Sequence, residues 1–374
     1  SIILLPGKYS EQIIVNSKRI IIKSYIEDSA IIAPPDNFVN VSDYKGLAMI
    51  YAINSDSVVF VGLTVDAENK LTQYNNLNGI VFINSGGKVI ECRLVNFSGT
   101  TNNLNDSDWV CGKEFNSGYG IAILGLNPKT AKKLDIINCY FSNIENSSIS
   151  VIAYNYYAPY NVNIIGNIID GKGYRTADDN NAETGINVRG GIKGIISNNK
   201  ISNMSHETKQ AIGINIVGGW NGDWLNTTLT VSGNEINNVE GGIRLLSLMS
   251  SCYKPITKLK VYVLQNKIRI DDNIVNDTSN YGIFVYQNTM DSTRVEICDN
   301  ELYCNIVNTP LFVDAIRIST KDTVAKTNFI NIKNNNILGW NKAFLLNASE
   351  GGNLVTDIIE NNINNNRYPC YFSF

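Results

Sequence analysis

The chain has 374 residues, 44% of them hydrophobic, and a formal net charge of −3 from 31 Lys and Arg against 34 Asp and Glu. This content is enough for a large core, but no basic tract suggests nucleic acid, and no apolar run approaches the roughly 20 residues of a membrane-spanning helix. The seven widely spaced cysteines form no CxxC pair, which argues against a zinc site.

A small polar corner follows a short apolar strand nine times along the chain. The corners begin at Cys92, Cys139, Asn167, Asn199, Asn234, Asn266, Asn300, Asn335 and Asn361. An interval of roughly 30 residues indicates a repeat architecture with one continuous core. We therefore expect a single domain over residues 1–374, as a fragment of a longer chain, because Ser1 opens directly into a strand-like run. Residues 1–35 would form the first coil and 366–374 a terminal segment.

A second pattern precedes each corner, a small residue followed by alternating apolar residues, as in Gly213-Ile214 and Gly242-Ile243. This alternation indicates strands, and a third, shorter strand would carry the apolar residue just after the corner. Three strands in each unit of about 30 residues predict an all-β solenoid, a single-stranded parallel β-helix with three parallel sheets and about ten to eleven coils.

The two interleaved patterns resemble the right-handed parallel β-helix of the pectate-lyase-like superfamily. The opening Ile3-Leu4-Leu5-Pro6-Gly7-Lys8-Tyr9-Ser10-Glu11, followed by Ile20-Ile21-Ile22, resembles the first coil of such proteins. The superfamily includes polysaccharide lyases, polygalacturonases, pectin methylesterases, uronan epimerases and phage tailspikes. The resemblance implies that the Asn corners lie between the second and third sheets and that the Gly-Ile strands form the first sheet.

Alternation then divides each first-sheet strand into buried and outward residues. The early coils present apolar outward residues, such as Val81 and Leu124, so we expect a loop or another subunit to cover them. From the fifth coil onward the outward residues become polar and aromatic. After the Asn corners, the alternating charges of Lys200, Glu235, Lys267 and Glu301 indicate an ordinary solvated face.

The longest predicted loops that enter this sheet include Asp170–Thr184 and Ser202–Ile212, and long loops are where function tends to sit. Arg, Asn, Tyr and Trp suit sugar recognition, because rings stack on pyranoses and Arg pairs with uronates. The candidate substrate-binding residues are Asn187, Arg189, Asn215, Trp220, Trp224 and Tyr286. The candidate catalytic residues are Asp178, Asp179, Glu183, Asp223, Arg244 and Arg317.

Two reactions remain open. A hydrolase would use two of the four carboxylates, whereas a lyase or epimerase would use Arg244 or Arg317 to neutralise a uronate or to act as base, with Ca²⁺ as a conceivable cofactor. The sequence departs from the family motifs: the Gly-His-Gly and Asn-Thr-Asp of polygalacturonases and the Trp-Ile-Asp-His of pectate lyases are absent. His206, the only histidine, sits in a polar segment. The alternative to a functional site is purely structural: the arginines would form surface ion pairs, and the two Trp residues would pack their loop against the coil.

The sequence therefore predicts an extracellular or virion-associated β-helix that binds a polysaccharide or cell-surface glycan and cleaves it as a lyase or glycosidase. The groove would lie on the first sheet. The alternative is a non-catalytic adhesin, receptor-binding fibre or structural spike module. We expect neither nucleic-acid binding nor membrane insertion and no resident metal, and a homotrimer is the assembly that the non-catalytic alternative would predict.

Overall fold

The computed structural model describes residues 1–39, 41, 46–70, 77–98, 118–125, 130–153, 160–176, 182–218, 226–248, 259–271, 280–288, 293–305, 313–320, 328–348 and 354–373. These residues form a right-handed parallel β-helix of three sheets, each with 12 strands. The number of coils is therefore 12, slightly more than the ten to eleven expected. The described residues include no helix that is long and apolar enough to cross a membrane.

The first sheet contains every third strand, beginning with β3. Its strands are β3 (Ile13–Asn16), β6 (Leu47–Ile53), β9 (Leu77–Ile83), β12 (Ile121–Gly125), β15 (Ser147–Ala153), β18 (Thr184–Gly190), β21 (Ile212–Gly218), β24 (Gly241–Leu248), β27 (Asn280–Asn288), β30 (Val313–Thr320), β33 (Lys342–Ala348) and β36 (Tyr368–Ser373).

The second sheet leads into the Asn corners. Its strands are β1 (Ile2–Leu4), β4 (Arg19–Ser24), β7 (Ser57–Val61), β10 (Gly87–Ile90), β13 (Lys132–Ile137), β16 (Tyr160–Ile165), β19 (Ile192–Ser197), β22 (Thr227–Ser232), β25 (Leu259–Leu264), β28 (Arg294–Cys298), β31 (Asn328–Lys333) and β34 (Leu354–Ile359).

The third sheet follows the corners. Its strands are β2 (Gly7–Tyr9), β5 (Ala30–Ile32), β8 (Leu63–Asp66), β11 (Arg93–Phe97), β14 (Tyr140–Ile144), β17 (Ile168–Arg175), β20 (Lys200–His206), β23 (Glu235–Val239), β26 (Lys267–Asp271), β29 (Glu301–Asn305), β32 (Asn336–Leu338) and β35 (Asn362–Asn364).

The Asn corners lie between the second and third sheets, as expected, and from Asn167 to Asn361 they form a hydrogen-bonded ladder. In each step of this ladder the side-chain oxygen of one Asn accepts the backbone N–H and the side-chain amide N–H of the Asn one coil earlier, as Asn234 Oδ1 does from Asn199 N at 3.0 Å and from Asn199 Nδ2 at 2.9 Å. The residue before each corner has positive φ, for example Asn198 at 56° and Gly233 at 63°. Asn and Gly tolerate this left-handed turn, which explains their frequency there.

The core lies between the three sheets and is built from stacked inward residues. Ile186, Ile214, Ile243, Ile283 and Ile316 occupy equivalent positions on successive first-sheet strands, and each is fully buried. The same register sends the intervening residues outward, so the predicted division of each strand into two faces is confirmed.

Two boundaries differ from the sequence-based expectation. The first coil ends at Asn16 rather than near residue 35, because β4 pairs with β1 and starts a second coil. The segments Asp170–Arg175 and Ser202–His206, expected to be loop, continue the third-sheet strands β17 and β20. These two strands pair with each other through a register shift between Asp170 and Gly173.

Candidate functional site

The outward residues of five successive first-sheet strands form one line across the sheet. Strand pairing aligns Asn187 with Asn215, Asn215 with Arg244, Arg244 with Phe284, and Phe284 with Arg317. We refer to these five residues as the first-sheet row. A parallel line beside it contains Arg189, Val217, Leu246, Tyr286 and Ser319. The structure thus brings together most of the predicted strand residues of the site.

The amides of the row orient its first arginine. Asn215 Nδ2 donates to Asn187 Oδ1 at 2.9 Å, and Asn215 Oδ1 accepts from Arg244 Nε at 2.9 Å. Arg189 Nε also donates to Asn187 Oδ1, at 3.2 Å. Both Asn side chains are buried. The chain of amides therefore fixes the Arg244 guanidinium through one of its five N–H groups.

Arg244 carries a charge without a carboxylate partner, as far as the described residues extend. No Asp or Glu among them forms an ion pair with it, and the side chain is half-buried. A half-buried guanidinium is weakly hydrated and presents a planar fork that fits a carboxylate. Arg244 is therefore the strongest anion-binding group that the row offers.

Tyr281 lies beside Arg244 although it is not part of the row. Its fully buried hydroxyl faces the guanidinium without a well-aligned hydrogen bond. Burial raises the pKa of Tyr281 to about 12, against the opposing effect of Arg244 and Arg317. A Cβ on Gly241 would lie 2.9 Å from the Tyr281 oxygen, so the absence of a side chain at Gly241 leaves room for the phenol.

Arg317 has the same outward position as Arg244 but a different environment. Its Nε donates to Asp314 Oδ2 at 2.7 Å, and Lys342 Nζ lies 3.7 Å from Asp314 Oδ1. Asp314 is fully buried. The ion-pair alternative raised from the sequence therefore applies to Arg317.

Aromatic rings separate the two arginines. The Arg317 guanidinium lies 5.6 Å from the centre of the Phe284 ring. Phe284 packs at 5.2 Å against Tyr281 and at 6.1 Å against Tyr286. Phe284 and Tyr286 are both half-buried. The row thus offers ring surface between two cationic groups.

The apolar outward residues of the early coils are covered by the chain itself, which is one of the two covers expected from the sequence. Ala48, Tyr51, Val81, Ala122 and Leu124 point outward from the first sheet and are all fully buried in a second apolar cluster. Tyr119 belongs to this cluster, and Val41 packs against it. The open part of the first sheet therefore begins after this cluster.

Glu183 is placed away from the row. Its carboxylate accepts the Lys172 N–H at 3.0 Å, at the turn between the third and first sheets. Burial raises the pKa of Glu183 to about 8, partly offset by this hydrogen bond and by Arg175 and Lys172. Glu145, also buried, pairs with Arg175 and with Lys172 Nζ at 2.6 Å. The four residues form a buried charge cluster that anchors the extended strand β17.

The remaining candidates fall into two groups. Asp178, Asp179, Trp220, Asp223 and Trp224 lie outside the described residues and stay predictions. His206 is fully buried, and its Nδ1 accepts the Thr208 and Lys209 N–H groups at 3.1 Å, which gives it a structural role in that turn.

The described residues do not offer a calcium cage. Calcium needs six or more oxygen ligands, several of them carboxylates. No group of three or more Asp, Glu, His or Cys side chains converges within the described ranges, and Asp314 on this face is held by Arg317 and Lys342. We therefore derive no step through a metal ion.

Sequence reasoning missed Tyr281 and Lys342. Both belong to an outward column, Gly241–Tyr281–Asp314–Lys342, that precedes the alternating part of each strand. The small residue before each buried Ile, such as Gly242 or Gly282, interrupts the alternation of inward and outward side chains. A strict period of two therefore assigns this column to the inward face, although it lies on the outward face. The sequence signal that could have revealed this column is the spacing of Asp314 and Arg317, which lie three residues apart on one strand.

Comparisons with known proteins identify the fold alone. No family model and no curated protein sequence matches the chain. Among solved structures, the Streptococcus pneumoniae surface protein and adhesin PfbA matches with a TM-score of 0.58 and 14% identity, covering 99% of this chain and 91% of PfbA. The Dettilon tailspike protein matches with a TM-score of 0.56 and 14% identity, covering 96% of this chain and 61% of the tailspike.

Proposed function

We propose that this chain binds an acidic polysaccharide along the first-sheet row, with Arg244 as the main contact to a sugar carboxylate. The observation that carries this proposal is the half-buried Arg244, which is fixed by Asn215 and has no carboxylate partner among the described residues. Such a guanidinium binds an incoming anion strongly, because folding has already removed part of its hydration shell and fixed its orientation.

The neighbouring side chains suit a sugar rather than a small inorganic anion. Phe284 and Tyr286 give ring surface for the apolar face of a pyranose. Asn187 and Asn215 are buried and act indirectly, by holding Arg189 and Arg244 in place. Successive strands are about 4.8 Å apart, which is close to the length of one sugar residue in an extended chain. A glycan running across the strands would therefore advance by about one strand per sugar.

Binding is better supported than hydrolysis. A glycosidase usually places two carboxylates on opposite sides of the scissile bond. Within the described part of the outward face, the carboxylate beside the row is Asp314, and it is buried and held in ion pairs with Arg317 and Lys342. This geometry favours the adhesin-like or fibre-like alternative, and the similar folds include a surface adhesin and a tailspike. We propose an extracellular, cell-surface or virion location on the same grounds.

One observation supports β-elimination as a second candidate. The Tyr281 hydroxyl, which is protonated at neutral pH, lies beside Arg244. In an elimination Arg244 would neutralise the uronate carboxylate, a base would remove the proton on the adjacent carbon, and Tyr281, buried in the free chain, would have to reach the departing glycosidic oxygen to protonate it. Arg317 is held by Asp314, and the described row supplies no other candidate for the base.

The test measures binding of a galacturonate oligosaccharide and of a neutral oligosaccharide of equal length by calorimetry. Replacing Arg244 by Ala is expected to lower affinity for the acidic ligand by about 10- to 100-fold, the value of a lost charge-assisted pair. Arg269→Ala on the third sheet is the matched control and is expected to change nothing. Equal binding of both ligands, or no effect of Arg244→Ala, would refute the proposal.

The same sample distinguishes binding from cleavage. Ultraviolet absorbance of the unsaturated product reports elimination, and reducing ends report either reaction. Turnover that Tyr281→Phe abolishes while binding persists would establish the second candidate. Binding without any product would support the non-catalytic, adhesin-like alternative. Sedimentation of the same sample tests the predicted homotrimer.

A further inference from the structure

The outward face of the second sheet carries a column of cations that the linear sequence conceals. Strand pairing aligns eleven positions from coil to coil along the solenoid. They are Arg19, Ser57, Gly86, Lys133, Asn161, Lys193, Thr228, Lys260, Arg294, Phe329 and Val355. Five of these residues are cationic and none is acidic. We refer to Lys133, Lys193, Lys260 and Arg294 as the cationic column.

Three of the four cations of the column are exposed, and Lys260 is half-buried. Lys133 and Arg294 have 65% and 63% of their side chains exposed, and Lys193 is also exposed. Lys133 lies 3.7 Å from Asp135, and Arg294 lies 2.9 Å from Glu296 in the adjacent column. Exposed pairs of this kind are weak and exchange readily with other anions.

Two members of the column have no acidic partner on the described surface. Neither Lys193 nor Lys260 forms an ion pair with a described carboxylate, and Lys260 Nζ instead lies 5.0 Å from the centre of the Tyr262 ring. Their charges therefore add to the local positive potential, although the whole chain is acidic with a net charge of −3.

The spacing of the column suggests the ligand. Lys133, Lys193 and Lys260 occupy alternate coils, with Asn161 and Thr228 between them, so neighbouring cations lie about 9 to 10 Å apart. This distance is close to the length of a disaccharide. Arg294 follows on the next coil.

The column ends at an exposed aromatic ring. Phe329 is 51% exposed and follows Arg294 on the next strand. Both residues line a groove of about 300 Å³ together with Glu296, Asn331 and Asp357. A ring beside hydrogen-bonding groups is the usual surface for a sugar.

We propose that the cationic column is a second binding surface, for a linear glycan that carries an anionic group on alternate sugars. The glycan lies along the solenoid axis, with its anions on Lys133, Lys193 and Lys260, its neutral sugars over Asn161 and Thr228, and one sugar face on Phe329. A single-stranded nucleic acid fits less well, because it carries a charge on every nucleotide and favours a series of stacking rings. This surface is separate from the first-sheet row.

The test compares affinity for a hyaluronan oligosaccharide, which has one carboxylate per disaccharide, between charge-reversed variants made in the Arg244→Ala background. Lys193→Glu combined with Lys260→Glu is expected to lower affinity at least about tenfold, because attraction becomes repulsion at two contacts. The matched control is Lys200→Glu with Lys267→Glu on the third sheet, which changes net charge equally and is expected to leave affinity within about twofold. Phe329→Ala is expected to weaken binding without altering its salt dependence.

Three outcomes would overturn the inference. Equal loss in the column and control variants would indicate attraction to total charge alone. Unchanged affinity in the column variant would show that the glycan binds elsewhere. Tighter binding of polyuridylate than of hyaluronan would assign the column to nucleic acid. Each outcome is independent of the first-sheet proposal, since Arg244 is already absent.

Discussion

At the scale of single residues, two arginines with equivalent outward positions differ in their environment because of one carboxylate. Arg317 has Asp314 three residues earlier on its own strand and is neutralised by it. The strand of Arg244 has Gly241 at the position that corresponds to Asp314, and its guanidinium meets the neutral Asn215 instead. The difference leaves Arg244 as the residue whose charge an external anion can satisfy.

Glu183 gives a prediction about pH. Because burial raises its pKa to about 8, the folded chain holds this proton more tightly than the unfolded chain does. Stability should therefore fall as pH rises from about 5 to about 8, by up to ~1.4 kcal/mol per pH unit, and level off above that range. Glu183→Gln keeps an acceptor for the Lys172 N–H but cannot ionise. It should match the wild type at pH 5 and exceed its melting temperature at pH 8.

A second buried carboxyl, Glu240, also contributes to the pH dependence of stability. Burial also raises the pKa of Glu240, to about 7, so part of the pH dependence should remain in Glu183→Gln. Thermal unfolding of both proteins across this range measures the difference. Identical pH profiles would show that Glu183 ionises normally in the folded chain.

At the scale of elements, the sequence predicted those features that repeat locally. Each corner fixes the phase of the strands around it, so the outward positions of Asn187, Asn215 and Arg244 followed from the alternation. The extended part of β17 was missed because Asp170–Arg175 is polar and contains a register shift. Its order comes from the buried Glu145–Arg175 pair, which joins residues 30 positions apart.

The cationic column was missed for a different reason. Its members are one or two coils apart in sequence, so no short stretch of the sequence contains two of them and no basic run appears. Only the strand register places Lys193, Lys260 and Arg294 in one line. Properties that depend on stacking between coils therefore require the structure.

The Asn ladder gives a prediction about the corner element. Asn234 accepts two hydrogen bonds from Asn199 and donates to Ile196 O and to Asn266 Oδ1, all within the buried core. Asn234→Ala leaves buried backbone groups without partners and should destabilise the chain by about 2–4 kcal/mol. Asn361→Ala is the control, because this part-buried residue lies on the last coil of the ladder and water can replace its bonds.

Denaturant midpoints of the two variants provide the measurement. The Asn361→Ala variant should unfold at a clearly higher denaturant concentration than the Asn234→Ala variant, since buried unsatisfied groups cost more free energy than exposed ones. Equal midpoints would show that the ladder stabilises all coils alike, regardless of burial.

At the scale of the whole molecule, a parallel β-helix separates three surfaces around one core, and each has its own charge pattern. Among the described residues, the first sheet presents aromatic rings and the Arg244 guanidinium, which has no carboxylate partner there, and the second presents the cationic column. The third presents alternating signs, with Lys267 3.4 Å from Glu301 in a groove of about 590 Å³. The net charge of −3 therefore conceals surfaces of different charge.

This separation predicts how the two proposed surfaces combine. A short galacturonate oligosaccharide should bind the first-sheet row and respond to Arg244→Ala but not to Lys193→Glu with Lys260→Glu, because the buried core lies between the two faces. A long acidic polymer can reach both faces, so each variant should weaken its binding, and their free-energy effects should add to within about 0.5 kcal/mol at these independent sites. Calorimetry with the short ligand and co-sedimentation with the polymer measure the two cases. A loss of short-oligosaccharide binding in the column variant would mean that one continuous site wraps around the solenoid.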